Sequence, residues 1–227
     1  MNFADKILAF HQNIRPDWEI PEGIDILFPF NNPETWSVMS AFFKKYFDDE
    51  QQRTLILGIN PGRFGAGITG TPFTDPVKLE EICGIPNNFK KRVELSADFV
   101  YEFIDAFGGA DYFYRHFYIT TLCPLGFVKN GKNYNYYDEK PLERAVEKHI
   151  LHNLKTHLDF GCNASVALCL GQGKNYKYFK QLNDKHQFFR KIIPLPHPRW
   201  VMQYRRKKMP EFRDMFVKTF QEVLEAG

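Results

Sequence analysis

Residues Leu55–Gly67 read LILGINPGRFGAG. An aliphatic run enters a cluster in which Asn60 and Pro61 are followed by Gly62, Gly65 and Gly67. A short apolar run bounded by turn residues predicts a buried strand, here Arg53–Ile59, and a strand without polar alternation belongs in a parallel sheet covered on both faces. The loop after it bends sharply and lets a ligand approach bare backbone, because glycine carries no Cβ. The Asn60 carboxamide suits holding a water or a substrate edge. A purely structural turn explains NPG equally well.

Working outward, apolar spacing predicts helices over Met1–Ile14, Thr35–Phe47, Val93–Phe107, Pro141–Leu158, Lys174–Leu182 and Pro210–Leu224. Further strands are predicted at Phe117–Leu122, Ser165–Leu170 and Phe188–Leu195. Strands alternating with helices give a three-layer α/β/α sandwich with a central, mainly parallel four-stranded sheet, residues 1–227 forming a single domain. Ligands in such folds bind at the carboxyl ends of the strands, which here are GINPGRFGAG, CPLGF, GQGK and PHPRW. Tyr134–Tyr137, within KNGKNYNYYDEK, reads as a surface loop.

Composition narrows the function. There is no uninterrupted apolar stretch of membrane length and no signal-peptide layout in MNFADKILAFHQNIRPDW, so the chain reads as soluble and intracellular, with no membrane partner. Cys83, Cys123, Cys162 and Cys169 lack CxxC spacing, so no metal site is expected and buried free thiols are. A net charge of +3 does not by itself announce a nucleic acid, but RWVMQYRRKK, Arg199–Lys208, interleaves five cations with Trp200 and Tyr204. Cations neutralise phosphates and aromatics stack on bases. The competing reading is a solvated basic face.

Neither a Walker phosphate loop nor a GxGxxG-helix unit is present. His197 sits between Pro196 and Pro198, which restrict its backbone and suit aiming an imidazole at developing negative charge. His11, His116, His149, His152, His157 and His186 have no such setting and read as surface or satisfied core residues.

Taken together, GINPGRFGAGITGTPF, FYITTLCPLGF and LPHPRW resemble, in order, three motifs of the uracil-DNA glycosylase superfamily. The first resembles the single-strand-selective monofunctional branch, whose members read much like GMNPGPFGMxQTGVPFG. The resemblance implies an enzyme without cofactor that flips uracil, or a related deaminated or oxidised base, from DNA and hydrolyses its N-glycosidic bond. It implies Asn60 as the water-positioning residue and His197 as the group stabilising the leaving base. Phe73 then matches the aromatic under the base, with the backbone of Ile59 and Gly62 lining the pocket. Arg199, Trp200, Tyr204, Arg205, Arg206 and Lys207 would form wedge and clamp. A monomer is the default, cytoplasmic in a bacterium and nuclear in a eukaryote.

Departures from the pattern carry information. Thr121 stands where relatives have an asparagine that reads the uracil edge, and one hydroxyl cannot copy both amide contacts. The accepted range then widens toward 5-hydroxymethyluracil, xanthine or hypoxanthine. HPSPRN of the relatives has become HPRWVM, so the wedge is built differently. Asp75 has no counterpart and is either a general base for water or the cap of a helix starting near Pro76. Arg63 replaces a proline and touches either a phosphate or only solvent. Two other readings stay open: a DNA-binding homologue without turnover, and an α/β hydrolase of free nucleosides.

Overall fold

A computed structural model describes residues 1–226. The elements in chain order are α1 (Phe3–Asn13), β1 (Ile24–Leu27), α2 (Pro33–Phe47), β2 (Thr54–Gly58), α3 (Ala66–Thr69), α4 (Pro76–Glu81), α5 (Leu95–Ala106), α6 (Ala110–His116) and β3 (Phe117–Thr121). There follow β4 (Gly126–Lys129), β5 (Lys132–Tyr134), α7 (Lys140–Asp159), β6 (Val166–Leu170), α8 (Lys174–His186), β7 (Lys191–Leu195), α9 (Pro198–Tyr204) and α10 (Met209–Glu225).

The four predicted strands form one parallel sheet in the order β3-β2-β6-β7. Leu55, Ile56 and Leu57 are wholly buried because β2 has a strand on either side and helices on both faces. Pro194 is tolerated in β7 because that strand pairs on one edge only.

Two adjacent residues of β3 define the layers, since successive side chains leave a strand on opposite faces. The Phe117 ring packs against Phe107, Phe113 and Phe220, from the end of α5, from α6 and from α10. Tyr118 packs against Phe3, Phe43, Phe47 and His157, from α1, α2 and α7. The high phenylalanine content therefore fills two core layers, as the stacked Phe103 and Phe216 rings 4.9 Å apart also illustrate. The Arg53 side chain is buried at the start of β2, where it forks onto both oxygens of Asp49 and donates from Nε to Tyr114 O at 2.9 Å.

The sequence reading missed α6 and a second sheet, β1-β4-β5, which is antiparallel. Asn130 and Gly131 join β4 to β5 with φ of 51° and 69°, the left-handed pair required by a two-residue hairpin turn. Gly126 lets β4 reach the loop after β2, because a Cβ there would collide with Pro61 O.

Candidate active site

The loops leaving β2, β3 and β7 converge on a cleft of about 550 Å³. It is lined by Asn60, Phe73, Thr121 and His197, together with Ile59, Gly62, Arg63, Arg199, Trp200 and Tyr204. Segments more than 130 residues apart thus meet, because parallel strands put all their carboxyl ends on one edge. GQGK contributes no lining residue.

Asn60 is held at both ends of its carboxamide. Oδ1 accepts from the Tyr136 N–H at 3.1 Å, while Nδ2 donates to Tyr134 O at 3.3 Å and more weakly to Pro61 O at 3.4 Å. Tyr136 is itself wholly buried and donates its hydroxyl to Asn175 Oδ1 at 2.8 Å. Asn175 Nδ2 returns to Leu170 O at 3.0 Å, at the end of β6. The expected surface loop at Tyr134–Tyr137 is therefore corrected: it is the clamp on Asn60. Its signal was the Asn130-Gly131 turn, which marks a hairpin and places the tyrosines beside the glycine loop. Gly62 closes that loop by accepting from the Gly67 N–H at 2.9 Å, and its own N–H has no acceptor among the described residues.

Phe73 adopts φ of 53°, a region that non-glycine residues avoid. Buried threonines brace the turn: Thr69 Oγ1 donates to Thr74 O at 2.7 Å, and Thr74 Oγ1 lies 3.0 Å from the Tyr101 hydroxyl. The ring covers Gly58, where a Cβ would sit 3.0 Å from Phe73 Cε2. An unfavourable backbone conformation persisting in a cleft is a mark of functional constraint.

His197 caps α9, its Nδ1 accepting from the Arg199 N–H at 3.2 Å. Accepting through Nδ1 leaves the proton on Nε2, on the opposite side of the ring. Burial, helped by the nearby Arg199 charge, holds the imidazole at about 4, so it is a neutral donor at physiological pH. Its ring lies 5.8 Å from that of Phe73.

Thr121 is buried and donates its hydroxyl to Cys123 O at 2.7 Å. With the hydrogen committed, it shows the cleft oxygen lone pairs only.

The remaining candidates separate. Arg63 is tied down by an Nη1 hydrogen bond to Gly131 O and lies 4.3 Å from the Phe64 ring centre, with Arg92 on the same ring at 3.6 Å. Trp200 packs edge-on against Phe212, and Arg205 lies 5.1 Å from its ring centre. Tyr204 is 60% exposed, and Lys207 is exposed as well. Arg206 lines a different depression, beside Asp98, Glu102 and Asp105. Asp75 takes the capping role: Oδ1 accepts from the Val77 and Lys78 N–H groups, Oδ2 from that of Glu94, and the side chain is fully buried outside the cleft. Glu94, absent from the sequence reading, lines the cleft. Nothing in KKRVELSADF distinguishes it, since its neighbours are brought to it by the fold.

Among the described residues no group of three or more His, Cys, Asp or Glu side chains is placed to hold a metal ion. No described helix is long and apolar enough to cross a membrane. His11 and His157 are core residues whose Nδ1 atoms meet Ile7 O and Asn153 O, although Nε2 of His157 and of His149 is buried without a partner.

A family model described as the uracil DNA glycosylase superfamily matches residues 44–221. The chain belongs to the uracil DNA glycosylase superfamily. This superfamily member is 28% identical over 135 residues to a single-strand selective monofunctional uracil-DNA glycosylase from Rattus norvegicus, covering 51% of this chain and 47% of that protein. With the protein of the same description from Bos taurus it shares 29% over 116 residues, 43% of this chain and 42% of that one. The chain spans about half the length of these curated relatives. The crystal structure of wild-type Pedobacter heparinus SMUG2 superposes on this superfamily fold with a TM-score of 0.96, at 44% identity over 99% of each chain.

Proposed function

We propose that the chain is a monofunctional DNA glycosylase that takes uracil, or a related deaminated or oxidised base, out of DNA and hydrolyses its N-glycosidic bond. The observation that carries this is the neutral His197, with Nδ1 occupied and Nε2–H free, in the same cleft as the fixed Asn60 carboxamide. Breaking the glycosidic bond leaves negative charge on the base and positive charge on the sugar. A fixed donor at the base oxygen stabilises that charge without reorganising, and a neutral imidazole serves because it keeps its proton while sharing it.

Each neighbouring residue then has a part. Phe73 offers a face to the extruded base, Asn60 orients the water, and the spare Gly62 N–H supplies a further donor. Thr121, with lone pairs only, accepts from a base N–H and does not enforce the two-way match of an amide. That supports a range including 5-hydroxymethyluracil, xanthine and hypoxanthine. Arg199, Trp200, Tyr204, Arg205 and Lys207 form the rim that meets the strand and offsets the few kcal/mol of base extrusion. DNA as substrate places the protein where DNA is, in the cytoplasm of a bacterium or the nucleus of a eukaryote, and the cleft is completed within one chain, consistent with a monomer.

The test is incubation in EDTA with labelled single- and double-stranded oligonucleotides carrying one uracil, 5-hydroxymethyluracil, xanthine or hypoxanthine, followed by alkali. Strand breaks that need the alkali step are expected. Salt-sensitive DNA binding with no abasic site from any base overturns the reading.

A further inference from the structure

Hydrolysis has one requirement that Asn60, Phe73 and His197 leave unmet: the water that attacks the sugar must lose a proton. The Asn60 carboxamide has no basic atom near neutral pH, and the His197 Nδ1 is engaged by the Arg199 N–H while Nε2 holds the proton. Among the described residues lining the cleft, Glu94 is the one carboxylate.

Its place is built rather than incidental. The Glu94 N–H donates to the buried Asp75 Oδ2 at 2.8 Å, and its carbonyl accepts from Asp98 at the start of α5 at 3.1 Å. The side chain lies against the loop that carries Asn60. A Cβ on Gly62 would sit 3.5 Å from Glu94 Oε1, and one on Gly65 would collide with Oε2. Gly65 thus leaves the room the carboxylate occupies, while Gly62 is in ordinary contact range. Neither oxygen receives a hydrogen bond from any described residue and neither is sealed from solvent, so the carboxylate is free to meet a water in the cleft.

We propose that Glu94 is the general base that takes the proton of the attacking water, an assignment that rests on the glycosylase reading above. The C1′–N bond breaks and its electron pair leaves with the base. The water oxygen bonds to C1′, and one water proton passes to the Glu94 carboxylate. The base anion, held by His197 Nε2–H, takes a proton from solvent, and Glu94 returns its own to solvent. While ionised, Glu94 also opposes the positive charge gathering on the sugar.

The surroundings fit this part. Burial first, and the Asp75 charge second, raise the Glu94 carboxyl to about 7 against the opposing pull of Arg199 from α9. Arg63 from the glycine loop, Lys132 from β5, Tyr137 and His197 are the other charged or titratable groups near the glycines and strand ends of the same cleft, with Tyr204 on its rim. A base that titrates close to working pH combines availability with proton affinity.

The experiment is single-turnover excision of uracil from DNA between about pH 5.5 and about pH 9, with thermal melting and DNA affinity measured on the same preparations. The wild-type rate is expected to rise with pH and level off above about 7. Glu94→Gln should lower the plateau by about 100-fold and abolish the rise, with DNA affinity and melting kept. Glu94→Asp should retain a rise at reduced rate. An active wild type whose Glu94→Gln variant keeps the same plateau and profile overturns the assignment alone. A Glu94→Gln variant that is faster and binds DNA more tightly does so too, by showing that the carboxylate only repels phosphate. A wild type that leaves no abasic site overturns the glycosylase reading and this assignment together.

Discussion

The Tyr136 N–H donates to Asn60 Oδ1 at 3.1 Å, and this bond decides which end of the Asn60 carboxamide faces which way. Asn60→Ala should lower the single-turnover rate by at least about 100-fold while DNA affinity stays near wild type. Tyr136→Phe removes the hydroxyl that ties the clamp to Asn175. It should cost about tenfold in rate through misplacement of Asn60 and about 1 kcal/mol in stability. A Tyr136→Phe rate equal to wild type would show that the backbone alone fixes the clamp.

His197→Ala should reduce the rate by at least about 100-fold, the scale of a lost donor to a developing anion. His197→Gln, which keeps an N–H donor, should recover part of that loss. Equal rates for both variants would mean that position, not hydrogen-bond donation, is what the site requires.

Phe73 separates base capture from folding in an unusual way. Because its φ is 53°, Phe73→Gly relieves backbone strain of about 1 kcal/mol even as it removes the ring. The variant should melt within a few degrees of wild type yet lose affinity for DNA that carries the target base. A large fall in melting temperature, with activity intact at low temperature, would return Phe73 to the core.

Acid sensitivity follows from burial. His11, His157 and His197 are each held from 6.5 down to about 4, in every case chiefly by burial. They remain neutral when folded and take up protons once unfolded, so the unfolded state binds more protons between those values. Their contribution to stability is complete above about 6.5, and it falls as the pH drops to about 4. Thermal melts should show this decline, and replacing His11 or His157 with Phe should flatten it. A Tm independent of pH across that window would contradict the burial of these rings.

The basic stretch divides just beyond the end of α9. Replacing Arg205 and Lys207 should reduce the slope of log affinity against log salt by about 0.9 for each phosphate that is no longer neutralised. Replacing Arg206, which lines a separate depression together with Asp98, Glu102 and Asp105, should leave the slope unchanged. Equal effects from Arg205 and Arg206 would mean that the DNA path also covers the depression lined by Arg206.

What the amino-acid order reveals depends on the range of the interactions involved. β2 is legible because a strand covered on all sides needs an unbroken aliphatic run, and Leu55–Leu57 supplies it. Asp75 before Pro76 is a local capping signal, and the structure uses it as one. Asn60 and His197 are visible because each sits in a loop that ends a strand. Glu94 is not visible, since its meaning comes from Gly65 and the loop around it, about thirty residues earlier. The Asn60 clamp lies between: Asn130-Gly131 announces a hairpin, but only the fold shows that the hairpin ends on a carboxamide 74 residues away.

Because β5 belongs to the small antiparallel sheet with β1 and β4, one end of the Asn60 carboxamide is held by a ribbon that pairs no strand with the four-stranded sheet. Fraying of that ribbon would loosen the Tyr134 contact while the four-stranded sheet stays paired and Tyr136 stays tied to Asn175. Inactivation on warming is then expected to precede the calorimetric transition, with β1, paired to β4, setting the margin between the two.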